Sequence, residues 1–576
     1  MLTERILPQT VEAGKSRRSA LTPLVALAFR PGLADLTRIS HHGGEGRGFS
    51  PAVTRPAYCR PPSPLAQLAA ASCAGGEAKR GGAPAISAGL KPRPSGAPGQ
   101  LPRIGEKSGL KGGATRKSTR HETCRPLLLS ALALAAFVLA FLPCALAQES
   151  SGLPRERHVL VISVDGMGAS LYQLLAAKVR IPNLARLRRE GSHAEGVLGV
   201  YPTVTYPSHT TIVTGKMPAE HGIYSNLSSR QAGKNPEDWF WFTKAIKTPT
   251  LWDEANAHRL SSGAVFWPAT AGAPIHWDIP EIWDPQKPLQ VDPVYVAKYA
   301  TPGLLFEALL EIGPPKAGQE FDVTRAHLAT FILKKYKPDL LLVHLCDLDG
   351  VEHQFGPNSP EAAATLEKID GHIGELLAAD EAARLADSTD VFVVSDHGFL
   401  PVGAEIRPNL LLVKAGLLAV DEKGNLTGGR IATLANGGSF FIYWPQSRDL
   451  RSEVNEALKP LRDSGALWGV LDRAALKDLD AEPAAQMALE ASTGYEFSSG
   501  ATGDLISSEK SIRGTHGYLP FRRELESSFM AWGPDIKAGV DLHTIRMTEI
   551  APTILKAMGI DDPKFGDEPP LVEIFK

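Results

Sequence analysis

Cysteine is nearly absent from the part of this chain that reads as foldable. Of five cysteines, Cys59, Cys73, Cys124 and Cys144 lie within or before an apolar run that ends near residue 147, and only Cys346 follows it. A lone thiol makes no internal disulfide, so stability must come from elsewhere. Cys346 sits in an apolar run and is expected to be a small core residue. An excess of charge of either sign is also lacking: 61 Lys and Arg against 63 Asp and Glu leave a formal net charge of −2. That gives no basis for nucleic-acid binding by bulk charge. No internal repeat and no Walker-type Gly-rich loop is evident.

The first 124 residues lack apolar periodicity. They are rich in Arg, Gly, Pro, Ala and Ser, as in Gly81-Gly82-Ala83-Pro84 and Lys91-Pro92-Arg93-Pro94, and read as disordered. A basic flank at Arg125, an apolar run to Leu142 and Ala145-Leu146-Ala147 then match a secretory signal peptide over 125–147, with cleavage after Ala147. A membrane anchor is the alternative, but the run is short for a span and no basic stop follows it. The expected product is exported, to a bacterial periplasm or the exterior, with no membrane span left after cleavage. A signal peptide normally begins a chain. The leader is therefore expected to be a misassigned start, which N-terminal sequencing of the secreted form would test.

From 148 to 576, apolar runs alternate with helical patterns, which predicts an α/β fold with a mostly parallel sheet. His158–Val164, Gly263–Pro268, Asp339–Leu345, Asp390–Ser395 and Phe529–Trp532 read as strands, with a further strand around 194–200. A helix is expected to open at 181–187 with Asn183 as a possible cap, and others over 303–312, 322–335, 360–379, 449–461 and 547–558. Residues from about 400 to 510 read as an insertion or cap.

Polar residues fall just after several of these strands. Asp165 follows the first, Asp349 and His353 follow Asp339–Leu345, Asp396 and His397 follow Asp390–Ser395, and His516 lies between glycines 514 and 517. Strand ends of open α/β sheets are where ligands bind. Asp349 and His353 share a face if helical and can converge from a loop otherwise. Asp396 and His397 can serve one ion only if the strand has already ended, which Gly398 permits. Each is weak alone. Asp165 is equally a turn residue, and Thr205 is merely a helix cap if no metal ligands lie nearby. Together they suit two metal ions, with zinc the best match to mixed carboxylate and imidazole donors, although Mn or Fe would also serve.

The stretch Tyr201-Pro202-Thr203-Val204-Thr205-Tyr206 has no base beside its hydroxyls. A metal ion is then the expected activator of Thr205 as nucleophile toward phosphorus, at or just before a helix N-terminus. Asn226 and the Tyr206 amide are candidates to hold a non-bridging oxygen. Trp239, Phe240, Trp241, Phe242, Trp277 and Trp283 either line a cleft or simply pack.

Ser163-Val164-Asp165-Gly166, the Thr205 stretch through His221-Gly222-Ile223, Phe266-Trp267-Pro268, Asp349-x-x-x-His353, Ser395-Asp396-His397-Gly398 and Gly514-Thr515-His516-Gly517-Tyr518 resemble the nucleotide pyrophosphatase/phosphodiesterase family of the alkaline phosphatase superfamily. The likeness runs from about 158 to 560. It implies a three-layer sandwich with a smaller inserted cap. It implies one zinc on Asp349, His353 and His516, and another on Asp165, Asp396 and His397 together with Thr205. It further implies Asn226 as phosphate-oxygen ligand and Tyr206 packing on the substrate's organic group. Two places depart from the family pattern: His344 stands where a Tyr helps sandwich the base, and Tyr206-Pro207-Ser208-His209 replaces Phe-Pro-Asn-His.

The resulting expectation is a secreted hydrolase of small-molecule phosphodiesters or pyrophosphates, including nucleotides, acting through a phospho-threonine. The alternatives are a phosphate monoesterase or phosphonate hydrolase, and an inactive metal-stabilised binding protein. A monoesterase favours a Lys or Arg beside the phosphate; Arg230 and Lys244 lie in the right region but read as solvated surface.

Overall fold

A computed structural model describes residues 156–228, 239–284, 292–316 and 319–576. The leader, the signal segment and Arg230 lie outside the described residues. No helix among the described residues is long and apolar enough to cross a membrane.

Eight strands form the central sheet: β1 His158–Val164, β2 Ser192–His193, β3 Ser262–Val265, β4 Trp277–Ile279, β5 Leu340–Leu345, β6 Thr389–Val394, β7 Phe529–Trp532 and β8 Val540–Asp541. Their order is β8-β2-β7-β6-β1-β5-β3-β4. From β6 to β4 every pairing is parallel, and β7 runs antiparallel to both neighbours.

The continuous apolar runs follow from burial on both faces. Leu160, Ile162 and Val164 of β1 join Val343 of β5 and Val393 of β6 in one core, with Leu328 and Ile332 of helix α3 (Phe321–Tyr336) and Leu366 and Ile373 of helix α5 (Pro360–Ala382). Val159 and Val161 join Leu342, Phe392 and Val394 in a second core, with Ile212 of helix α2 (Thr205–Thr214) and Ile554 of helix α6 (Ile550–Ala557). Successive residues of a strand point to opposite faces, so one strand serves both cores. The result is the expected sandwich with a mostly parallel central sheet.

Several local expectations need correction. Asn183 lies inside helix α1 (Pro182–Glu190), where its side chain bonds the Asp370 carboxylate at 3.0 Å; Ile181 is the cap. The strand around 194–200 is two short strands, β2 and Gly196–Leu198. The 449–461 pattern breaks into Arg451–Ala457 and Lys459–Arg462. Pro460 supplies no backbone N–H to continue the first helix. Cys346 is only half-buried, where β5 gives way to helix α4 (Asp347–Phe355), and not in the core.

Residues 400–515 contain a four-stranded antiparallel sheet and a three-stranded mixed sheet of their own. One of their apolar clusters takes in Tyr201 and Val204, just ahead of Thr205. Tyr201 lies 5.3 Å from the Phe441 ring.

Candidate metal centre

β6, β1 and β5 are adjacent and parallel, so their C-terminal ends share one edge of the sheet. Asp165 follows β1 directly. β6 ends at Val394, which frees Asp396 and His397 from strand geometry. Asp349 and His353 lie one turn apart on α4. His516 enters from the far side, after the strand Ile506–Thr515.

Asp349, His353 and His516 offer ligand atoms that all lie within 4.8 Å of one another, and so do Asp165, Asp349 and His397. Asp396 joins through His397, whose Nε2 is 3.1 Å from its Oδ2 and 3.4 Å from Asp165 Oδ1. The other Asp396 oxygen accepts the Gly166 N–H at 3.1 Å. Gly166 holds a positive φ of 79°, which only glycine adopts freely.

The tautomers decide what fits between them. His353 Nδ1 faces the Gly514 carbonyl and His516 Nδ1 faces the Thr203 carbonyl, each at 3.1 Å. A carbonyl accepts, so each Nδ1 carries the proton and each Nε2 presents a lone pair. Those two Nε2 atoms are only 3.1 Å apart. Asp349 Oδ1 is 3.5 Å from the first and 3.6 Å from the second. Three acceptors thus converge with no donor between them. Asp165 Oδ1, Asp349 Oδ1, Asp396 Oδ2 and His397 Nε2 are buried without a hydrogen bond. A cation resolves this arrangement, and carboxylate with imidazole Nε2 is a zinc-type donor set.

The electrostatics agree. Burial, then the Asp349 charge, pushes the Asp165 carboxyl well above its usual range; burial, then Asp165, does the same to Asp396. Burial, then neighbouring imidazoles, drives His397 and His516 well below theirs. Among the described residues no Lys or Arg forms an ion pair with Asp165, Asp349 or Asp396.

Thr205 is the first residue of α2 and is 9% exposed. Its carbonyl accepts from His209 Nδ1 at 2.8 Å, and His209 Nε2 pairs with Ser163 Oγ at 2.8 Å. The Tyr206 amide is not free to hold an oxygen as expected. It donates to Asn226 Oδ1 at 2.9 Å. With Oδ1 as the acceptor of that bond, the Asn226 NH₂ is the donor end of the amide.

The aromatic region divides. Trp239, Trp241 and Trp283 gather with their ring centroids 5.1 to 5.6 Å apart, and Tyr206 meets the first two edge-on. Trp277 instead stacks on Tyr336, and Phe242 packs on Tyr299. Lys244 is exposed, as read from the sequence.

Sequence reasoning passed over His209, Glu281 and Glu352. His209 is one turn after Thr205, a spacing that places it on the same helix face. Glu281 follows the end of β4, the position rule that picked out Asp165. Glu352 adjoins His353, and both its carboxylate oxygens are buried without a partner. Two other donor groupings differ. Glu195, Asp541 and His543 are exposed. In Asp322, Cys346 and Asp347 the carboxylates are taken up by backbone N–H groups.

The family model described as type I phosphodiesterase / nucleotide pyrophosphatase matches residues 159–519. The chain belongs to that family. It is 28% identical over 250 residues to the bovine bis(5'-adenosyl)-triphosphatase ENPP4, covering 42% of this chain and 47% of that protein. It is 26% identical over 252 residues to bovine ectonucleotide pyrophosphatase/phosphodiesterase family member 3, covering 42% and 24%. The human family member 5 is 24% identical over 448 residues, 75% of this chain and 80% of that protein. The match thus spans about half or less of several of the curated relatives. A solved structure of human family member 5 overlays on 73% of this chain and all of its own, with a TM-score of 0.53 and 19% identity. A murine family member 5 in complex with AMP gives the same TM-score at 20% identity. These structures share the fold.

Proposed function

We propose that this protein hydrolyses phosphodiester or pyrophosphate bonds of small molecules, nucleotides among them, with Thr205 as nucleophile at a two-zinc centre. The observation that carries this reading is the convergence of His353 Nε2, His516 Nε2 and Asp349 Oδ1 as acceptors with no donor.

Asp349, His353 and His516 would hold one ion. Asp165, Asp396 and His397 would hold the other, beside Thr205. Bound there, the ions lower the pKa of the hydroxyl and offset charge on the phosphoryl oxygens. The chain's own residues do the rest. Thr205 Oγ1 forms the new bond to phosphorus as the bond to the leaving oxygen breaks. Water then cleaves the threonine ester and returns the hydroxyl. His209 holds the Thr205 carbonyl and so fixes the start of α2. Asn226, oriented by the Tyr206 amide, donates to a non-bridging oxygen. Trp239 and Trp283, half-buried where Trp239 meets the fully buried Tyr206 ring, flank the substrate's organic group. The match to the type I phosphodiesterase / nucleotide pyrophosphatase family model supports a diester or pyrophosphate over a monoester. Export through the 125–147 segment agrees with the ectonucleotide names of several relatives.

The test is hydrolysis of bis-p-nitrophenyl phosphate and p-nitrophenyl phosphate by the chain from Gln148. A diester preference is expected, lost on chelation, with Thr205→Ala slowing turnover by about three orders of magnitude or more. A monoester preference would move the protein to the phosphatase branch. A Thr205→Ala variant with full activity would remove the assigned nucleophile.

A further inference from the structure

His344 occupies a place where the family resemblance anticipates a ring beside the substrate. Its surroundings here give it different work. The side chain is 1% exposed, so a ligand in the cleft does not reach it. Nε2 lies 3.0 Å from Asp165 Oδ2. Nδ1 lies 3.0 Å from Glu281 Oε2, 3.1 Å from the Phe266 carbonyl and 3.2 Å from Arg325 Nη1. Arg325 also donates to the His344 carbonyl at 2.9 Å and packs 4.8 Å over the Phe266 ring. The ring is therefore gripped on both nitrogens by buried groups.

The two oxygens of Asp165 are used unequally. Both ring nitrogens face acceptors, so His344 donates from each, and Oδ2 accepts the Nε2–H. Oδ1 has no hydrogen bond and lies 3.4 Å from His397 Nε2. An unrestrained carboxylate can exchange its oxygens by rotation about χ2. One strong bond to Oδ2 stops that exchange and leaves Oδ1 facing the donor set. Partners behind a metal ligand orient it in this way.

We propose that His344, held by Glu281 and Arg325, is a positioning residue for Asp165. It presents Oδ1 to the metal centre and takes no part in recognising the substrate's organic group. The inference rests on the two-ion reading of the site.

The test compares His344→Phe, His344→Gln and His344→Asn with wild type, all from Gln148. Zinc affinity is measured by competition with a chromophoric chelator. Activity is measured on bis-p-nitrophenyl phosphate and on methyl p-nitrophenyl phosphate, which share a leaving group and differ in the other substituent. Phe removes the bond, and zinc affinity is expected to fall roughly 10–100-fold. kcat should fall by one common factor on both diesters, with the ratio of their KM values unchanged. Gln reaches the Nε2 position with a donor and should recover most of the affinity, whereas the shorter Asn should not. Should Phe fail to fold, the Gln–Asn pair still decides. Wild-type zinc affinity in both Asn and Phe would overturn the proposal, as would a loss confined to one diester. Failure of the function reading is distinguishable: a wild type that turns over neither diester, yet loses zinc in the Phe variant, would sink the reading and keep the positioning role.

Discussion

At the residue scale, buried imidazoles set the acid limit of this fold. His221 is fully buried, with Nδ1 accepting from the Ile223 N–H and Nε2 paired with Thr211 Oγ1, each at 3.1 Å. Burial lowers its pKa from 6.5 to about 3. A depressed histidine contributes stability that is fully present above its unfolded value and is lost as pH falls. Between pH 6.5 and about 3, each unit of acidification costs up to about 1.4 kcal/mol while the folded form stays neutral. His221→Gln removes that titration. Urea unfolding at several pH values from 4 to 7 should show a shallower decline of stability for the variant than for wild type. Equal slopes would mean that His221 does not carry the acid limb. This residue was legible only as part of a motif; nothing in its neighbours revealed burial. The candidate ligands Asp165, Asp349, His353, Asp396 and His397 were legible because they follow expected strands, and His516 because it lies between glycines. Glu281 follows the same position rule, but the shortness of β4 hid it.

At the element scale, the site depends on where strands stop. β6 must end before Asp396, and the backbone then has to pass tightly under its neighbours. A Cβ on Gly398 would lie 2.1 Å from the Glu524 carbonyl oxygen and 3.2 Å from the Gly168 Cα. Neither is the flexible end of a side chain, so the turn itself would have to move. Gly398→Ala is expected to destabilise the protein by about 1–3 kcal/mol and to shift Asp396 and His397. Zinc retention after gel filtration should drop with it. Full zinc retention and an unchanged melting temperature would show that the turn tolerates the methyl group. The central strands were readable because burial on both faces leaves long apolar runs. The strands within residues 400–515 were not, because they are short, mostly antiparallel, and their pairing partners lie far apart in sequence, as with Ser439–Tyr443 against Met487–Ala491. The reading of Asp449–Leu461 as one helix missed that Pro460 opens a second one.

At the scale of the whole molecule, the centre is a deliberate concentration of like charge. Asp165, Asp396 and Glu352 are buried beside Asp349, and burial raises all four carboxyls above the usual range, with repulsion from neighbouring carboxylates adding to it, Glu281 in the case of Asp349. For such groups the folded state binds protons more tightly than the unfolded chain. The stability they contribute is complete below the ordinary carboxylate range and is lost as pH rises through the raised values. His397 and His516, held neutral by burial, act in the opposite sense below about 6.5. A chelated protein should therefore weaken toward alkaline pH by the carboxylate route, and toward acid by the imidazole route. Bound cations take the place of the missing protons, and they bind ligands that are already deprotonated. The gap in melting temperature between zinc-loaded and EDTA-treated protein should then widen from pH 6 to pH 8.5. Glu352→Gln, which removes one buried carboxylate without partners, should narrow that gap from the chelated side by raising the melting temperature of the stripped protein at the alkaline end. A gap that stays constant with pH would mean that the carboxylates are not what the ions stabilise.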